Sequence, residues 1–314
     1  MERHQPTGRS RLGFLLALTT MVLWSLLPLA LKVTLVSMDP YTITWYRFLF
    51  SAVLLGAVLA YYRSLPSPGR FSALARRLLV VATVFLAANY ILYLLGLHHT
   101  TPANAQVLIQ LAPMLLALGA IWIFGERFTR MQWVGFGILI AGLVGFFEDQ
   151  LRLLAAGVET YYRGSFLMLL AAGTWAIYGL AQKQLLAWLP SQVIMLYIYA
   201  GCTVLFSPAS SPLQILRMSG VELGMLAFSA LNTVAAYGTF AEALVHWEAS
   251  RVGAVLALTP LMTIAATAGT HALWPDLAAA PAISGLGVCG ACLVVAGSLL
   301  TSLGQRGRRS APQP

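Results

Sequence analysis

Long apolar runs, separated by short polar connections, set the pattern of this chain. Ten of the runs are 17 to 23 residues long, close to the roughly 20 residues that a helix needs to cross a bilayer. Because backbone groups in hydrocarbon must bond to one another, such runs predict helices rather than loops. The predicted spans are Leu12–Leu31, Tyr41–Tyr62, Leu78–Leu97, Pro102–Phe124, Met131–Phe147, Gly164–Ala181, Pro190–Phe206, Leu223–Leu244, Val252–Leu273 and Ile283–Leu303. The pattern therefore predicts an all-α membrane protein with ten transmembrane helices.

The first span returns later in the chain, because Gly13–Lys32 is matched by Gly164–Lys183 at an offset of 151 residues. Trp24 then corresponds to Trp175, and later markers keep offsets between 147 and 151 residues. These markers are Tyr46 with Tyr197, Tyr90 with Tyr237, His99 with His246, Pro113 with Pro260, Glu126 with Asp276, Gly135 with Gly285, and Gly137 with Gly287. Since the matches fall in order on Trp, Tyr, Pro and Lys, they indicate a duplication rather than chance similarity of apolar sequence.

The duplication divides the chain into two repeats of five predicted spans each. Residues 12–147 form the first repeat and residues 164–303 the second, with a predicted periplasmic linker at 148–163 and cytoplasmic tails at 1–11 and 304–314. Five is an odd number, so the second repeat enters the membrane from the opposite side, as in the inverted repeats of alternating-access carriers. With the N-terminus inside, fourteen Lys and Arg residues fall inside and four outside, which predicts that both termini are cytoplasmic.

Composition supports a membrane location and argues against other classes. Only 9% of the residues are charged and 59% are hydrophobic, whereas a soluble domain carries roughly 25% charged residues. The net charge of +9 is scattered over connections and tails, which fits membrane orientation better than nucleic-acid binding. Cys202, Cys289 and Cys292 all lie in apolar runs, and the single Cys-x-x-Cys has no second pair to complete a metal site. We therefore expect neither a metal nor a cofactor.

Polar and aromatic side chains inside the spans are the candidates for substrate binding, because polar groups in hydrocarbon are costly. Gln106 and Gln110 share one helix face, and so do Asn89 and Tyr93. The predicted lining consists of Trp24, Asn89, Tyr90, Tyr93, Gln106, Gln110, Trp175, Tyr178, Asn232 and Tyr237. Amides and aromatic rings suit zwitterions and neutral or aromatic small molecules better than sugar phosphates, which need Arg and Lys pairs. Each amide could equally join two helices.

Four further residues are candidates for gating or coupling. Arg47 inside the second span could hold a substrate carboxylate, snorkel outward or cap backbone carbonyls, and we interpret it as structural or gating. Pro113 and Pro260 occupy matching positions where a kink could serve gating or packing. Glu242, with His246 one turn on, could carry protons or be a boundary charge paired with a basic group.

Several of these stretches also resemble a known family. They are the opening LLALTTMVLWSLLPLALK, Asp39-Pro40 followed by TWYRFLFSAVLL, QLAPMLLAL and ALTPLMTI around the matching prolines, and Gly125-Glu126-Arg127 followed by QWVGFGILIAGLVG. Together they resemble the ten-helix EamA branch of the drug/metabolite transporter superfamily. The resemblance implies a carrier with a central cavity to which helices five and ten contribute little. It also suggests an amino-acid exporter of the YddG kind, although WPDLAAAP replaces the Gly-Glu turn in the second repeat.

The resulting functional prediction is a secondary active transporter, not an enzyme, that exports amino acids or related compounds across the inner membrane by alternating access. A nucleotide-sugar or sugar-type exchanger of the same architecture is an alternative. A membrane-embedded lipid-modifying enzyme would need an acid, base or metal cluster at one membrane face, and a channel would need a ring of like residues. The expected partners are a small-molecule substrate and the lipid bilayer, not nucleic acid, and the internal duplication favours a one-chain pathway, compatible with a monomer. No nucleotide-binding loop occurs in the sequence.

Overall fold

The computed structural model describes residues 9–63, 71–124, 129–155, 159–247, 249–275 and 284–303. Within these ranges the secondary structure is helical, with turns and short connections between the helices and no strands. The described α-helices are α1 Ser10–Thr34, α2 Pro40–Tyr61, α3 Ala73–His99, α4 Pro102–Leu108, α5 Leu111–Phe124, α6 Arg130–Ala155, α7 Glu159–Leu185, α8 Ser191–Phe206, α9 Gly220–His246, α10 Ala249–Leu256, α11 Thr259–Leu273 and α12 Gly285–Leu303.

The outer surface of this bundle is apolar. Seven described segments are long and apolar enough to cross a membrane, and the shorter apolar helices Arg130–Phe146 and Gly285–Thr301 add to them. Large apolar side chains face outward along these segments, among them Val53, Val80 and Trp122, which is 92% exposed. Such a surface belongs in lipid, so the prediction of an all-α membrane protein is confirmed. The predicted ninth span, Val252–Leu273, is not among these segments and consists of the two short helices α10 and α11.

Two spans are broken at matching positions. The chain leaves helical geometry at Ile109-Gln110, between α4 and α5, and again at Ala257-Leu258, between α10 and α11. Pro113 lies three residues after the first break and Pro260 two residues after the second, and a proline leaves the carbonyl four residues earlier without its helical donor. Both carbonyls have another donor: the Ile109 carbonyl accepts from the Ala112 amide, and the Leu256 carbonyl accepts from the Thr259 hydroxyl. The predicted proline breaks are therefore present in both repeats.

The two repeats pack as pseudo-symmetric halves. Helix α1 of the first half packs on α9 of the second, and α7 of the second half packs in the same way on α3 of the first. The matching glycines of the duplicated motif occupy equivalent contacts: Gly13 lies against Trp247, and Gly164 lies against Gly96 and His99. In both cases the glycine meets the C-terminal end of the partner half's third span. Equivalent helices also meet across the halves, α2 with α8 and α6 with α12.

Close contact between α6 and α12 depends on glycine. A Cβ atom on Gly142 would lie 2.6 Å from the Val294 nitrogen, and one on Gly290 would lie 2.6 Å from the Phe146 nitrogen. These backbones approach in the manner of small-residue contacts in membranes. Gly137, although part of the same run, faces open space. Helices α6 and α12 pack chiefly on each other, at the side of the bundle.

Some boundaries differ from the prediction. The linker predicted as a loop over residues 148–163 is helical as far as Ala155 and again from Glu159, so the connection between the halves is shorter than expected. The seventh span is a continuous helix despite Gly201, which packs on the Thr83 side chain of α3. The Gly125-Glu126-Arg127 turn and the second-repeat stretch from Asp276 lie outside the described residues.

Candidate functional site

The middle of α1 exposes backbone carbonyls to its neighbours. Pro28 lies inside the helix and has no N–H, so the Trp24 carbonyl four residues earlier loses its helical donor. The Gln106 Nε2 of α4 donates to that carbonyl at 2.6 Å. The next carbonyl, of Ser25, accepts from the Thr263 hydroxyl of α11 at 2.9 Å. One proline thus draws polar side chains from both halves onto a single turn of α1.

Asn232 of α9 contacts the same turn and leaves an acceptor unused. Its Nδ2 donates to the Leu23 carbonyl at 2.7 Å. The residue is only 1% exposed, and its Oδ1 has no hydrogen-bond partner. An unpaired buried acceptor costs about 1–3 kcal/mol, so a donor that reached this oxygen would be stabilised.

Aromatic residues from both halves meet beside this turn. The Trp24 and Tyr237 rings form an edge contact with centroids 5.7 Å apart. The Tyr237 side chain also lies next to the side chains of Tyr90 and Trp175. Tyr90 and Tyr237 are equivalent positions of the duplication, and so are Trp24 and Trp175. We call these four residues the aromatic cluster; it lies where the pseudo-symmetric halves meet.

Arg47 of α2 borders the aromatic cluster as a buried cation. It is 3% exposed, its Nε donates to the Thr233 hydroxyl at 3.1 Å, and its guanidinium lies 4.7 Å from the centroid of the Tyr90 ring. The ring of Phe48 covers the Tyr90 ring at 4.5 Å between centroids. Among the described residues, no Asp or Glu side chain forms an ion pair with Arg47. Such a charge inside a membrane is expected to serve a function.

Other predicted lining residues serve contacts between helices. The Asn89 Nδ2 donates to the Ala171 carbonyl at 2.8 Å and so ties α3 to α7. Tyr178 is buried, with its hydroxyl 3.5 Å from the Met195 sulfur. Tyr93 is half-buried and packs against the apolar core. The Asn89 Nδ2 and the Tyr178 hydroxyl are thus engaged by neighbouring helices. For Asn89 this is the alternative role, that of joining two helices.

Gln110 lies at the break between α4 and α5 and faces the matching break of the other half. Its Nε2 is 3.5 Å from the carbonyl of Ala257, a long hydrogen bond. The two positions are 147 residues apart, the offset that also relates Pro113 to Pro260. The pseudo-symmetry axis therefore passes between the two breaks, as it passes between Tyr90 and Tyr237.

Glu242 stands apart from the aromatic cluster. Its side chain is 56% exposed, and its Oε1 lies 3.1 Å from His246 Nε2, one turn along α9. The contact pairs Glu242 with a basic group at the end of the helix, and a role of Glu242 in proton coupling stays a prediction. In the described ranges, no group of three or more His, Cys, Asp or Glu side chains is arranged to hold a metal ion.

The sequence did not reveal the hydroxyl groups of this region. Thr233 accepts from Arg47 and donates to the Ser229 carbonyl at 3.0 Å. Between α1 and α11, the Ser25 hydroxyl donates to the Thr259 carbonyl and the Thr263 hydroxyl donates to the Ser25 carbonyl. Hydroxyls inside helices usually bond the carbonyl four residues back, so nothing in the sequence marks the ones that also reach a partner. The available signal in the sequence was Pro28, because a proline inside a helix leaves the carbonyl four residues earlier, that of Trp24, without its helical donor.

One end of the bundle is joined across the halves by a polar strap, residues 207–219 between α8 and α9. Its Gln214 Oε1 accepts from the Asp39 amide at 2.9 Å, and its Ser211 amide donates to the Thr42 hydroxyl at 2.8 Å. Trp45 donates to the Ser207 hydroxyl and Tyr46 donates to the Pro212 carbonyl, and next to the strap Ser37 bonds to Glu222 in the first turn of α9. Every one of these bonds links the α1–α2 region of the first half to the second half.

Comparison with known families gives a match over nearly the whole chain. The profile of the EamA-like transporter family matches twice, at residues 11–147 and 162–303. The inner membrane transporter YhbE of Escherichia coli K12, itself uncharacterized, is 39% identical over 297 residues, which cover 94% of this chain and 92% of YhbE. An uncharacterized transporter of Haemophilus influenzae is 35% identical over 295 residues, covering 94% of this chain and 96% of the relative.

Two more distant similarities extend this picture. A protein of Salmonella typhimurium described as a probable amino-acid metabolite efflux pump is 26% identical over 328 residues, covering 96% of this chain and 98% of the relative. A solved crystal structure superposes with a TM-score of 0.61 at 20% identity, covering 95% of this chain and 99% of the other. At that identity the second likeness shows the fold alone.

Proposed function

Because the chain belongs to the EamA-like transporter family, we propose that it is a secondary carrier that exports amino acids or closely related metabolites by alternating access. Membership in the family and the apolar helices establish a multi-pass membrane protein that transports small molecules. The observation that carries the finer proposal is the aromatic cluster, in which equivalent residues of the two repeats meet mid-span. A site shared by two inverted halves can face either side of the membrane in turn.

The proposed moving units are the two repeats, residues 12–147 and 164–303. If the halves exchange conformations, the end joined by the polar strap must open while the opposite end closes. The strap is held by hydrogen bonds, each worth about 0.5–1.5 kcal/mol, so its release lies within the free energy that substrate binding can supply. The proline breaks give α4–α5 and α10–α11 a place to bend.

The chemistry of the site supports an amino-acid-like substrate. Aromatic faces, one free amide oxygen and one guanidinium suit a small zwitterion with an apolar or aromatic side chain. Sites for sugar phosphates favour paired Arg and Lys residues. Among the described residues, Arg47 is the one buried Arg or Lys, and it borders the aromatic cluster. The amino-acid metabolite efflux named for the Salmonella relative is consistent with this assignment.

We further propose that the carrier lies in a bacterial inner membrane with both termini in the cytoplasm, and that one chain contains the whole pathway. The location follows the name of YhbE, and the orientation follows the distribution of Lys and Arg. In this orientation the polar strap is at the periplasmic end. Reporter fusions at the C-terminus test the orientation: a reporter active only in the cytoplasm is expected to be active, and one active only in the periplasm to be silent.

The deciding experiment is counterflow in liposomes that contain the purified protein, with a panel of radiolabelled amino acids in the presence and absence of a pH gradient. Saturable counterflow supports a carrier. An ohmic current would indicate a channel, and conversion of substrate without movement would indicate an enzyme.

The variants Trp175→Ala and Gln110→Ala should weaken transport more than expression. Their matched controls, Trp122→Ala on the lipid face and Gln192→Ala on the exposed face of α8, should transport at the wild-type rate.

A further inference from the structure

We infer that Arg47 is a binding residue for the substrate's carboxylate, and that the transported compound is therefore a monocarboxylate, with Asn232 as a second contact for its ammonium group. The inference rests on the proposed carrier function and names the substrate chemistry of the same site. It replaces the interpretation of Arg47 as a structural or gating residue.

The first argument is the unspent hydrogen-bonding capacity of the guanidinium. A guanidinium carries five N–H groups, and the hydrogen bond that Arg47 forms with the described residues uses the Nε–H, which donates to Thr233. Within the described residues neither Nη atom has a protein acceptor, and no carboxylate neutralises the charge. A cation only 3% exposed costs several kcal/mol unless an anion meets it. The two Nη groups form the fork that binds a carboxylate through two parallel hydrogen bonds.

The second argument is that the guanidinium is held in place. Its Nε is fixed by the Thr233 hydroxyl, which is itself anchored by donating to the Ser229 carbonyl. Its guanidinium carbon lies 4.7 Å from the centroid of the Tyr90 ring, and the Phe48 ring packs on the same Tyr90 ring with centroids 4.5 Å apart. A side chain fixed on one edge and one face loses little conformational entropy when it binds an anion.

The alternatives for a membrane arginine do not fit the geometry. Snorkelling would expose the charged group, but Arg47 is buried in the middle of contacts from α3 and α9. Capping of a helix end would direct the N–H groups at carbonyls, as Lys32 does with its Nζ on the Leu97, His98 and Thr100 carbonyls at the end of α3. Arg47 instead donates its Nε–H to a side-chain hydroxyl, that of Thr233.

Asn232 provides the independent observation. It precedes Thr233 on α9, is 1% exposed, and has an unpaired Oδ1 beside the α1 turn that carries Trp24. An ammonium group has donors only, so it would satisfy this oxygen. A zwitterion with its carboxylate on Arg47 and its ammonium on Asn232 would lie between the halves, with its side chain next to the aromatic cluster.

The test compares each amino acid with its carboxamide, which keeps the shape and the ammonium but removes the negative charge. Binding to the purified full-length protein is measured as a shift in Tm, and transport as counterflow in liposomes. At least one amino acid should bind, and its amide should bind about tenfold to hundredfold more weakly, as expected for the loss of charge-assisted hydrogen bonds. The Arg47→Gln variant should bind acid and amide equally, Arg47→Lys should fall between, and the exposed Arg76→Gln should behave as wild type.

The wild-type comparison needs no variant, so the inference can be tested even if Arg47→Gln does not fold. Equal binding of acid and amide by the wild-type protein, or binding of no amino acid at all, would overturn it. If the carboxamide showed counterflow at the same rate as the amino acid, the proposed carrier function would still be supported, and only the proposed carboxylate site would be contradicted. Absence of counterflow for every compound that binds would instead contradict the proposed carrier.

Discussion

The hydrogen bond from Gln106 to Trp24 should be worth much more than its chemistry alone suggests. Pro28 deprives the Trp24 carbonyl of its helical donor, and the 2.6 Å bond from Gln106 replaces it. Hydrogen bonds between transmembrane helices average about 0.6 kcal/mol, whereas an unsatisfied buried carbonyl costs about 1–3 kcal/mol. Gln106 is 6% exposed, so little solvent could take its place. We expect Gln106→Leu, which keeps most of the volume, to lower the free energy of unfolding by about 1–2 kcal/mol.

A double-mutant cycle with Pro28→Ala isolates the cause. The alanine would bring back the backbone N–H that the Trp24 carbonyl lacks, so the same Gln106→Leu change should then cost less than about 0.5 kcal/mol. Unfolding is followed by circular dichroism during denaturant titration in mixed micelles, with Gln192→Leu on the exposed face of α8 as the control. An equal cost of Gln106→Leu in the wild-type protein and in the Pro28→Ala variant would refute the explanation, because it would show that the proline does not create the demand.

Three further predictions concern other parts of the structure. Gly290→Ala should separate α6 from α12 and lower Tm, whereas Gly137→Ala, which faces open space, should leave Tm unchanged or raise it; equal effects would contradict the packing. Lys32→Met should destabilise the end of α3 by about 1–3 kcal/mol in denaturant titration, and an unchanged midpoint would argue against capping. Ser37→Ala removes a bond to Glu222, which in turn accepts from the Ser219 amide at the end of the strap, so it should raise deuterium uptake in residues 207–219; unchanged uptake would show that this bond does not help to hold the strap.

The sequence predicted the fold well because hydropathy and proline act locally. Ten apolar runs and the paired Pro113 and Pro260 led directly to the spans and their breaks. The connection at 148–163 was predicted poorly for a physical reason. Charged residues end an apolar run, but Glu, Leu, Arg and Ala favour helix, so α6 continues past the membrane-length segment to Ala155.

The candidate site residues were chosen by residue type rather than by contact. Trp24, Tyr90, Trp175 and Tyr237 could be singled out as candidates because their matching positions are visible in the duplicated sequence. A single amide gives no such information, because a helix position does not tell whether the side chain meets a ligand or a neighbouring carbonyl. Asn89 was therefore included although it joins α3 to α7.

The most direct test of the central claim is to lock the polar strap in place. Cysteines at Thr42 and Ser211, whose side-chain oxygen and backbone nitrogen lie 2.8 Å apart, are joined by oxidation or a short thiol crosslinker in a background without the native cysteines. Counterflow in liposomes is then measured before and after reduction. Alternating access predicts that the locked protein does not transport, that it still binds substrate from the opposite side, and that reduction restores transport. Transport by the locked protein at the unlocked rate would contradict the account.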